Sequence, residues 1–238
     1  MMFKTLPIVL ACMCSAPALA QSCQASSGPQ QTRLVELYTS EGCDSCPPAD
    51  RWLSGLKGRP QVLAAAFHVD YWDRLGWKDR FGDPRHTERQ AQTQRNSGAR
   101  FNYTPQLLVN GRDSRAPDLA ATAPPAVVRL SLQREADARV SVRAQPLAGA
   151  PARLALWWAL LEDDHVSAVK AGENRGVTLR HDHVVRRYDT LPAFASTAPA
   201  QWTLAAPASG EGGRRARLLV VATDAATGLP LQALQLDC

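Results

Sequence analysis

The 238 residues carry 27 Lys and Arg against 22 Asp and Glu, a formal net charge of +5, and 45% of them are hydrophobic. That length suits one large domain or two small ones. The positive residues are scattered, with Arg outnumbering Lys 23 to 4 and no basic stripe interleaved with aromatics, which argues against nucleic-acid binding.

In chain order, residues 1–20 show a short amino-terminal region with Lys4, an apolar stretch over 6–13 and the small-x-small site Ala18-Leu19-Ala20. This is the form of a secretory signal peptide, and it is too short for a membrane span. A competing reading takes Val9-Leu10-Ala11-Cys12 as a lipoprotein box with Cys12 acylated, although the apolar stretch before it is short. No later segment has 18 apolar residues in a row, so no transmembrane segment is expected. The expected location is the periplasm or the cell exterior.

Cleavage after Ala20 leaves about 218 residues, a net charge of +4 and the cysteines Cys23, Cys43, Cys46 and Cys238. An even number in an exported chain suggests paired thiols. Of the three pairings, proximity favours Cys43–Cys46, which leaves Cys23 to join Cys238 as a structural disulfide. Closing so long a loop would stabilise by about 5 kcal/mol on the chain-entropy model. The alternative leaves these two free in terminal tails.

Residues 34–39 (Leu-Val-Glu-Leu-Tyr-Thr) form a short apolar run of the kind found in a sheet covered on both faces. Cys43-Asp-Ser-Cys46 follows, and then Ala49, Trp52, Leu53 and Leu56 recur at helical spacing. Pro47 and Pro48 suit the first turn, whose N–H groups have no intrahelical partner, and Gly58 with Pro60 closes the helix. Cysteines at a helix start meet the positive end of its dipole and unpaired N–H groups, which favour the thiolate. A CxxC also serves zinc sites, but no second CxxC is present to complete one. Redox chemistry is therefore the first expectation.

Residues 62–69 predict a second buried strand, completing a βαβ unit. His68 and Asp70 end that strand at the same sheet edge as Cys43, where ligands of α/β sheets gather. His68 is a candidate proton shuttle, or a third ligand for Cu(I) beside two thiolates; otherwise it is a packed, hydrogen-bonded histidine. Tyr71, Trp72 and Trp77 either rim a peptide groove or cover a core edge. Asp83-Pro84 caps a helix running to about Asn96 and stopping near Gly98. Tyr103-Thr-Pro-Gln106 then leads into a strand and the Asn110-Gly111 turn, where a cis peptide before Pro105 would bend the chain beside the cysteines.

A proline- and alanine-rich stretch over 112–126 reads as a linker. Beyond it, short β-branched or alternating runs at 127–132, 138–143, 153–161, 177–187, 201–205, 217–223 and 231–236 predict an immunoglobulin-like sandwich. The expected organisation is a signal peptide (1–20), an α/β thioredoxin-like domain (30–111), a linker (112–126) and an all-β sandwich domain (127–238). His181-Asp-His183 places two histidines on one strand face, a possible metal pair or, more simply, a solvated hairpin edge.

A CxxC at a helix start with a later Thr-Pro before a hairpin resembles the thioredoxin-like superfamily. The resemblance implies that Thr104 and Pro105 form a cis-proline loop packed against the CxxC and offering backbone groups to an extended substrate. It also implies a buried carboxylate that accepts the resolving thiol's proton, a role that falls near Glu36 if one residue is inserted; the alternative is an outward-facing strand glutamate. More narrowly, residues 36–50 (ELYTSEGCDSCPPAD), 68–79 (HVDYWDRLGWKD), Arg89-Gln90 and 103–106 (YTPQ) look like a family of secreted bacterial proteins known only as a domain of unknown function. That likeness continues through 171–186 (AGENRGVTLRHDHVVR).

The expected function is an exported thiol–disulfide oxidoreductase acting on protein or small-molecule thiols, with no cofactor. Cys43, nearer the loop, would be the nucleophile and Cys46 the resolving thiol. Asp44 opposes thiolate formation at Cys43 by about 1 kcal/mol if exposed, an effect of the same size as the helix-end contribution. The alternatives are a Cu(I)-binding protein using Cys43, Cys46 and His68, or a non-catalytic binding module with a structural CxxC.

Overall fold

Leu34, Val35, Leu37 and Tyr38 are all fully buried, so the first long strand, β2 (Arg33–Thr39), is covered on both of its faces. The computed structural model describes residues 23–238 except 98–99, 116 and 136–137; the signal peptide and Cys12 lie outside the described residues. After β1 (Gln24–Ser26) and β2 come α1 (Pro47–Ser54), β3 (Val62–His68) and α2 (Pro84–Ser97), then β4 (Gln106–Val109) and β5 (Arg112–Asp113). The second half holds β6 (Val128–Arg134), β7 (Arg139–Pro146), β8 (Arg153–Glu162), β9 (His165–Ala168), β10 (Thr178–His181), β11 (Val184–Ala195), β12 (Ala200–Ala205), β13 (Arg217–Asp224) and β14 (Pro230–Leu236).

Side-chain alternation along β2 decides which helix covers which face. Val35 and Leu37 pack with Ala64, Ala66, Leu53 and Leu56, on the α1 side. Leu34 and Tyr38 pack with Phe67, Leu108 and Trp157 on the other. There the Tyr38 hydroxyl meets Thr93 Oγ1 of α2 at 3.1 Å. The Arg89 guanidinium of α2 pairs with Glu36 and lies 4.3 Å over Phe67 and 4.7 Å over Trp157. Burial pulls Arg89 down, but that carboxylate and the hydroxyls of Tyr38 and Tyr188 hold it well above its ordinary range.

The strands form an eight-stranded mixed sheet in the order β14-β13-β8-β11-β3-β2-β4-β5, a four-stranded sheet β1-β6-β7-β12, and a separate hairpin of β9 and β10. β2 and β3 are parallel, with Leu34 opposite Leu63 and Thr39 opposite His68. β11 joins β3 in parallel through Val184 and Ala66, where the Ala66 N–H donates to the His183 carbonyl at 2.8 Å. The expected α/β thioredoxin-like domain followed by a separate immunoglobulin-like sandwich is therefore incorrect. The described residues are mostly strand, with two α-helices, and one sheet runs through both halves.

Strand β8 shows the physical reason. Leu154, Leu156, Trp158 and Leu160 face the core shared with β6 and β7, while Trp157, Ala159 and Leu161 face the core shared with β2, β3 and α2. A strand buried on both faces needs cover on both; β8 lies in the same sheet as β3 and β2, and on its second face α2 brings Arg89 4.7 Å over Trp157. The unbroken run LALWWALL of β8 carries that signal, where a sandwich strand would alternate.

The expected strand over 177–187 is broken. β10 ends at His181, His183 takes a φ of 56° and β11 begins at Val184. His181 and His183 therefore do not share a strand face, and both are buried rather than on a solvated edge. Of the segment read as a linker, Arg112 and Asp113 belong to β5, and Pro125 bridges to Gln30. No described helix is long and apolar enough to cross a membrane.

Cys23 and Cys238 form a disulfide with Cα atoms 5.9 Å apart, tying β1 to the end of β14 across 215 positions of sequence. Replacing both by serine should lower the unfolding free energy by about 4–5 kcal/mol. That corresponds to a melting temperature lower by about 10 °C or more. Differential scanning calorimetry under non-reducing conditions measures it, and the Cys43–Cys46 pair should remain oxidised in the variant.

Candidate functional site

Cys43 and Cys46 form a disulfide with Cα atoms 5.4 Å apart, placed where the chain leaves β2 and enters α1. Cys46 is the N-cap of α1, with Pro47 and Pro48 in its first turn. Both cysteines are 0% exposed, whereas Asp44 and Ser45 between them face solvent. The backbone of Asp44 is met by Glu173, whose carboxylate accepts its N–H at 3.3 Å.

The Thr104–Pro105 peptide is cis. Trp72 links that turn to the cysteine loop, because its indole donates to Thr104 Oγ1 at 2.8 Å while its Cβ lies where any side chain on Gly42 would stand, at 3.0 Å. Gln90 of α2 holds the turn from the other side, its amide donating to the Tyr103 carbonyl at 2.8 Å and to Gln106 Oε1 at 2.9 Å. Trp77 donates to Glu41 Oε2 at 2.7 Å. Both tryptophans thus bind the loops around the cysteines together.

Glu36 lies on the opposite side of the sheet. Its side chain alternates with Val35 and Leu37 and turns to Arg89 on α2, away from α1, so it does not serve Cys46. The carboxylate on the correct side is Asp50, four residues past Cys46 and therefore on the same helix face one turn deeper. Asp50 is buried, and burial raises its carboxyl above the ordinary range, with the nearby His181 and His68 offsetting part of the rise. A carboxylate at spacing i+4 from Cys46 and i−3 from Leu53, on an apolar stripe, is the sequence signal that marks it.

Around Asp50 sits a buried set of titratable groups. His68 Nδ1 meets Asp79 Oδ2 at 2.7 Å, and the N–H groups of Glu41 and Phe81 donate to the same carboxylate at 2.8 and 2.9 Å. Burial opposes both charges, but the ion pair outweighs it. Asp79 falls to about 2, helped by its hydrogen bonds, and His68 rises above its ordinary value. His181 stacks edge-on against His68 with ring centroids 4.9 Å apart, and its Nε2 lies 3.4 Å from Glu41 Oε1 without hydrogen-bond geometry. His68 Nε2 and both His181 ring nitrogens are buried without hydrogen-bond partners.

His181 belongs to β10, and the same hairpin supplies Asn174, whose amide donates to the carbonyls of Glu41 and Cys43, each at 2.9 Å. The hairpin lies far along the chain from the cysteines, so no local signal ties its residues to this site.

Among the described residues, one acid and histidine group brings its ligand atoms within 4.8 Å of one another: Glu162, His165 and Glu211. Arg186 lies 3.5 Å from Glu162 and 2.9 Å from Glu211, and Arg80 lies 3.4 Å from Glu211. These guanidinium groups already balance the carboxylates, so the cluster is an ion-pair network, not a cation site. Cys43, Cys46 and His68 do not converge in this way, and His68 commits Nδ1 to Asp79.

The chain belongs to the family described as protein of unknown function (DUF1223), which it matches over residues 34–222. Its fold is similar to that of a crystal structure from Agrobacterium tumefaciens, with 24% identity, a TM-score of 0.66, and coverage of 88% of this chain and 96% of that one. HBP35 of Porphyromonas gingivalis is more distant, at 14% identity and a TM-score of 0.57, covering 87% of this chain and 75% of that one. No curated protein matches the chain.

The His68–Asp79 pair has a defined pH signature. The raised His68 contributes stability that is complete below about pH 6.5 and is lost as the pH rises through its folded value. The lowered Asp79 contributes stability present above about pH 4 and lost as the pH falls toward about 2. Asp79→Asn should therefore cost about 3–5 kcal/mol near pH 6. It should also remove part of the decline in stability that the wild type shows between pH 6 and 9. Urea unfolding of both proteins at those two pH values measures the difference.

Proposed function

We propose that this protein is an exported thiol–disulfide oxidoreductase that exchanges disulfides through Cys43 and Cys46. The observation that carries the reading is local: a disulfide at the start of a helix, with a buried carboxyl one turn behind its second cysteine. The Thr104–Pro105 turn is tied to the same loop through Trp72. In this arrangement of parts the site resembles that of thioredoxin-like enzymes, on a different sheet. The two disulfides, one joining distant parts of the chain, support an oxidising compartment, the periplasm or the cell exterior.

In the oxidising direction a substrate thiolate attacks Cys43 Sγ. The new S–S bond joins substrate and Cys43, the Cys43–Cys46 bond breaks, and Cys46 leaves with the electron pair. Forming a thiolate where water is excluded costs several kcal/mol unless a proton arrives with it. Asp50, one helical turn behind Cys46 and with its carboxyl raised by burial, would give that proton. A second substrate thiol then attacks the substrate's sulfur of the mixed disulfide and releases Cys43 as a thiolate. The substrate dithiol has lost two electrons, which the protein now holds as two reduced cysteines. The reducing direction runs through the same steps, with Asp50 accepting the Cys46 proton.

In Cys46→Ser the Cys43 thiolate can still attack a substrate disulfide, as in the reducing direction, but no second cysteine resolves the product, so mixed disulfides through Cys43 should accumulate in periplasmic extract. Cys43→Ser should trap few or none. Non-reducing electrophoresis with mass identification reads the trapped species, and an empty result for Cys46→Ser would remove the exchange reading.

Asp50→Asn should slow reduction of the Cys43–Cys46 disulfide at neutral pH by at least about tenfold. A carboxyl whose folded value is raised loses stability as the pH climbs through that value, so the amide should also remove part of the wild type's loss of stability above pH 4. A variant that weakened the fold without slowing exchange would assign Asp50 to the core instead.

A further inference from the structure

Both sulfurs of the Cys43–Cys46 disulfide are sealed from solvent. A thiolate attacking a disulfide must approach along the S–S axis, so exchange at Cys43 requires part of this cover to move. Two elements close over the loop: the Trp72–Thr104 contact and the tip of the β9–β10 hairpin. Trp72 packs its Cβ against the Gly42 backbone and is tied by its indole to the proline turn.

The hairpin is held differently. Its two strands pair only with each other among the described residues, outside both larger sheets. A two-stranded hairpin is marginally stable by itself, so its position depends on what it docks against. At its base, Lys57 of the segment after α1 meets the exposed Asp164 at 3.1 Å, a pair that holds weakly, and the mostly buried Asp182 at 2.8 Å. At its tip, residues 169–177 close on themselves through Gly176 N–H to the Val169 carbonyl at 2.8 Å and Val177 N–H to the Asn174 carbonyl at 3.0 Å. These bonds shape the tip from within, independently of the cysteine loop. Gly172, with a φ of 71°, sets it against Trp77, whose Cβ would lie 3.3 Å from any side chain there. Across the seam to the cysteine loop, buried Asn174 donates to the carbonyls of Cys43 and Glu41, exposed Glu173 accepts from the Asp44 N–H, and buried His181 lies 3.4 Å from the Glu41 carboxylate.

We propose that the β9–β10 tip is a movable cover over the Cys43–Cys46 disulfide and that Asn174 is the positioning residue that latches it. This rests on the reading of Cys43 and Cys46 as an exchanging pair. With the latch made, the Cys43 carbonyl is fixed and the disulfide is inert to small thiols. With it broken, the preformed tip swings off as a unit and leaves Cys43 open to a partner. Asn174 acts through the backbone of Cys43 and does not touch the reacting sulfurs.

The test uses the full oxidised chain and a dithiol reductant, dithiothreitol, which gives its two electrons to a protein disulfide and becomes a cyclic disulfide. Samples are quenched in acid and alkylated, and the reduction of each disulfide is followed by peptide mass. Asn174→Asp keeps the shape of the side chain but replaces the donating Nδ2 with a carboxylate oxygen that faces both carbonyls. Asn174→Ala removes the latch without that repulsion. Two lost hydrogen bonds of ordinary strength should accelerate reduction of Cys43–Cys46 by about tenfold or more. The Cys23–Cys238 disulfide in the same sample should keep its wild-type rate. Lys57→Ala, which loosens the hairpin base, should accelerate in the same direction by a smaller factor. Wild-type rates at Cys43–Cys46 in both Asn174 variants would overturn the latch, and so would equal acceleration of both disulfides, which would signal general loosening of the fold. Acceleration confined to Cys43–Cys46, with no mixed disulfides trapped by Cys46→Ser, would uphold the cover while removing the exchange function.

Discussion

The pairing of β11 with β3 is short, a parallel register through Val184 and Ala66, yet the arrangement of the site depends on it. β3 carries His68 at its end and sits beside β2, which leads into the cysteine loop. β11 begins directly after the hairpin, so docking it on β3 delivers the hairpin to the end of the sheet where α1 starts. His181, Asn174 and Glu173 reach the cysteines by this route. Without that pairing the cysteine loop would lack its cover and one of its two buried histidines.

The energetics of the site divide between its two sides. On the α2 face, Arg89 is buried with Glu36 and four aromatic rings around it, and burial lifts the Tyr38 hydroxyl to about 12 although Arg89 pulls it the other way. That side is a structural clamp: its charges are matched and its partners fixed. On the α1 face, Asp50, Asp79, Glu41, His68 and His181 lie buried close together, with one matched pair and several ring nitrogens lacking partners. Unpaired buried polar groups cost stability, and proteins retain them where protons are moved or a second state is used. The contrast across a single sheet is what distinguishes the cysteine side.

On the exchange reading proposed above, burial of the disulfide and a proton supply behind it are two consequences of one choice. Excluding water protects the S–S bond from small thiols, but it also denies solvent as the source of a proton when Cys46 leaves. A carboxyl one turn deeper on the same helix meets that need without opening the site. On the same proposal, the cover has to move only far enough to admit a partner at Cys43.

The sequence by itself determined β2, the CxxC turn, α1, β3, α2 and the proline turn, because each rests on short-range physics. Those signals are side-chain periodicity over a few residues, proline in a first turn, and Asp83 capping the helix that starts at Pro84. It also located His68 at the sheet edge. Only the tertiary structure decided that Glu36 turns away and Asp50 turns in. The face of a strand is set by what packs on it, and Arg89, 53 positions further along, claims Glu36. Likewise β8 reads as a sandwich strand until its second buried face is seen to be shared with β2 and β3, and β11 until Val184 is seen to pair with β3. The bonds from Asn174 to Glu41 and Cys43 span 133 and 131 positions. A hydrogen bond over that separation leaves no mark in local sequence, since it exists only once strand order has brought the hairpin to the cysteines.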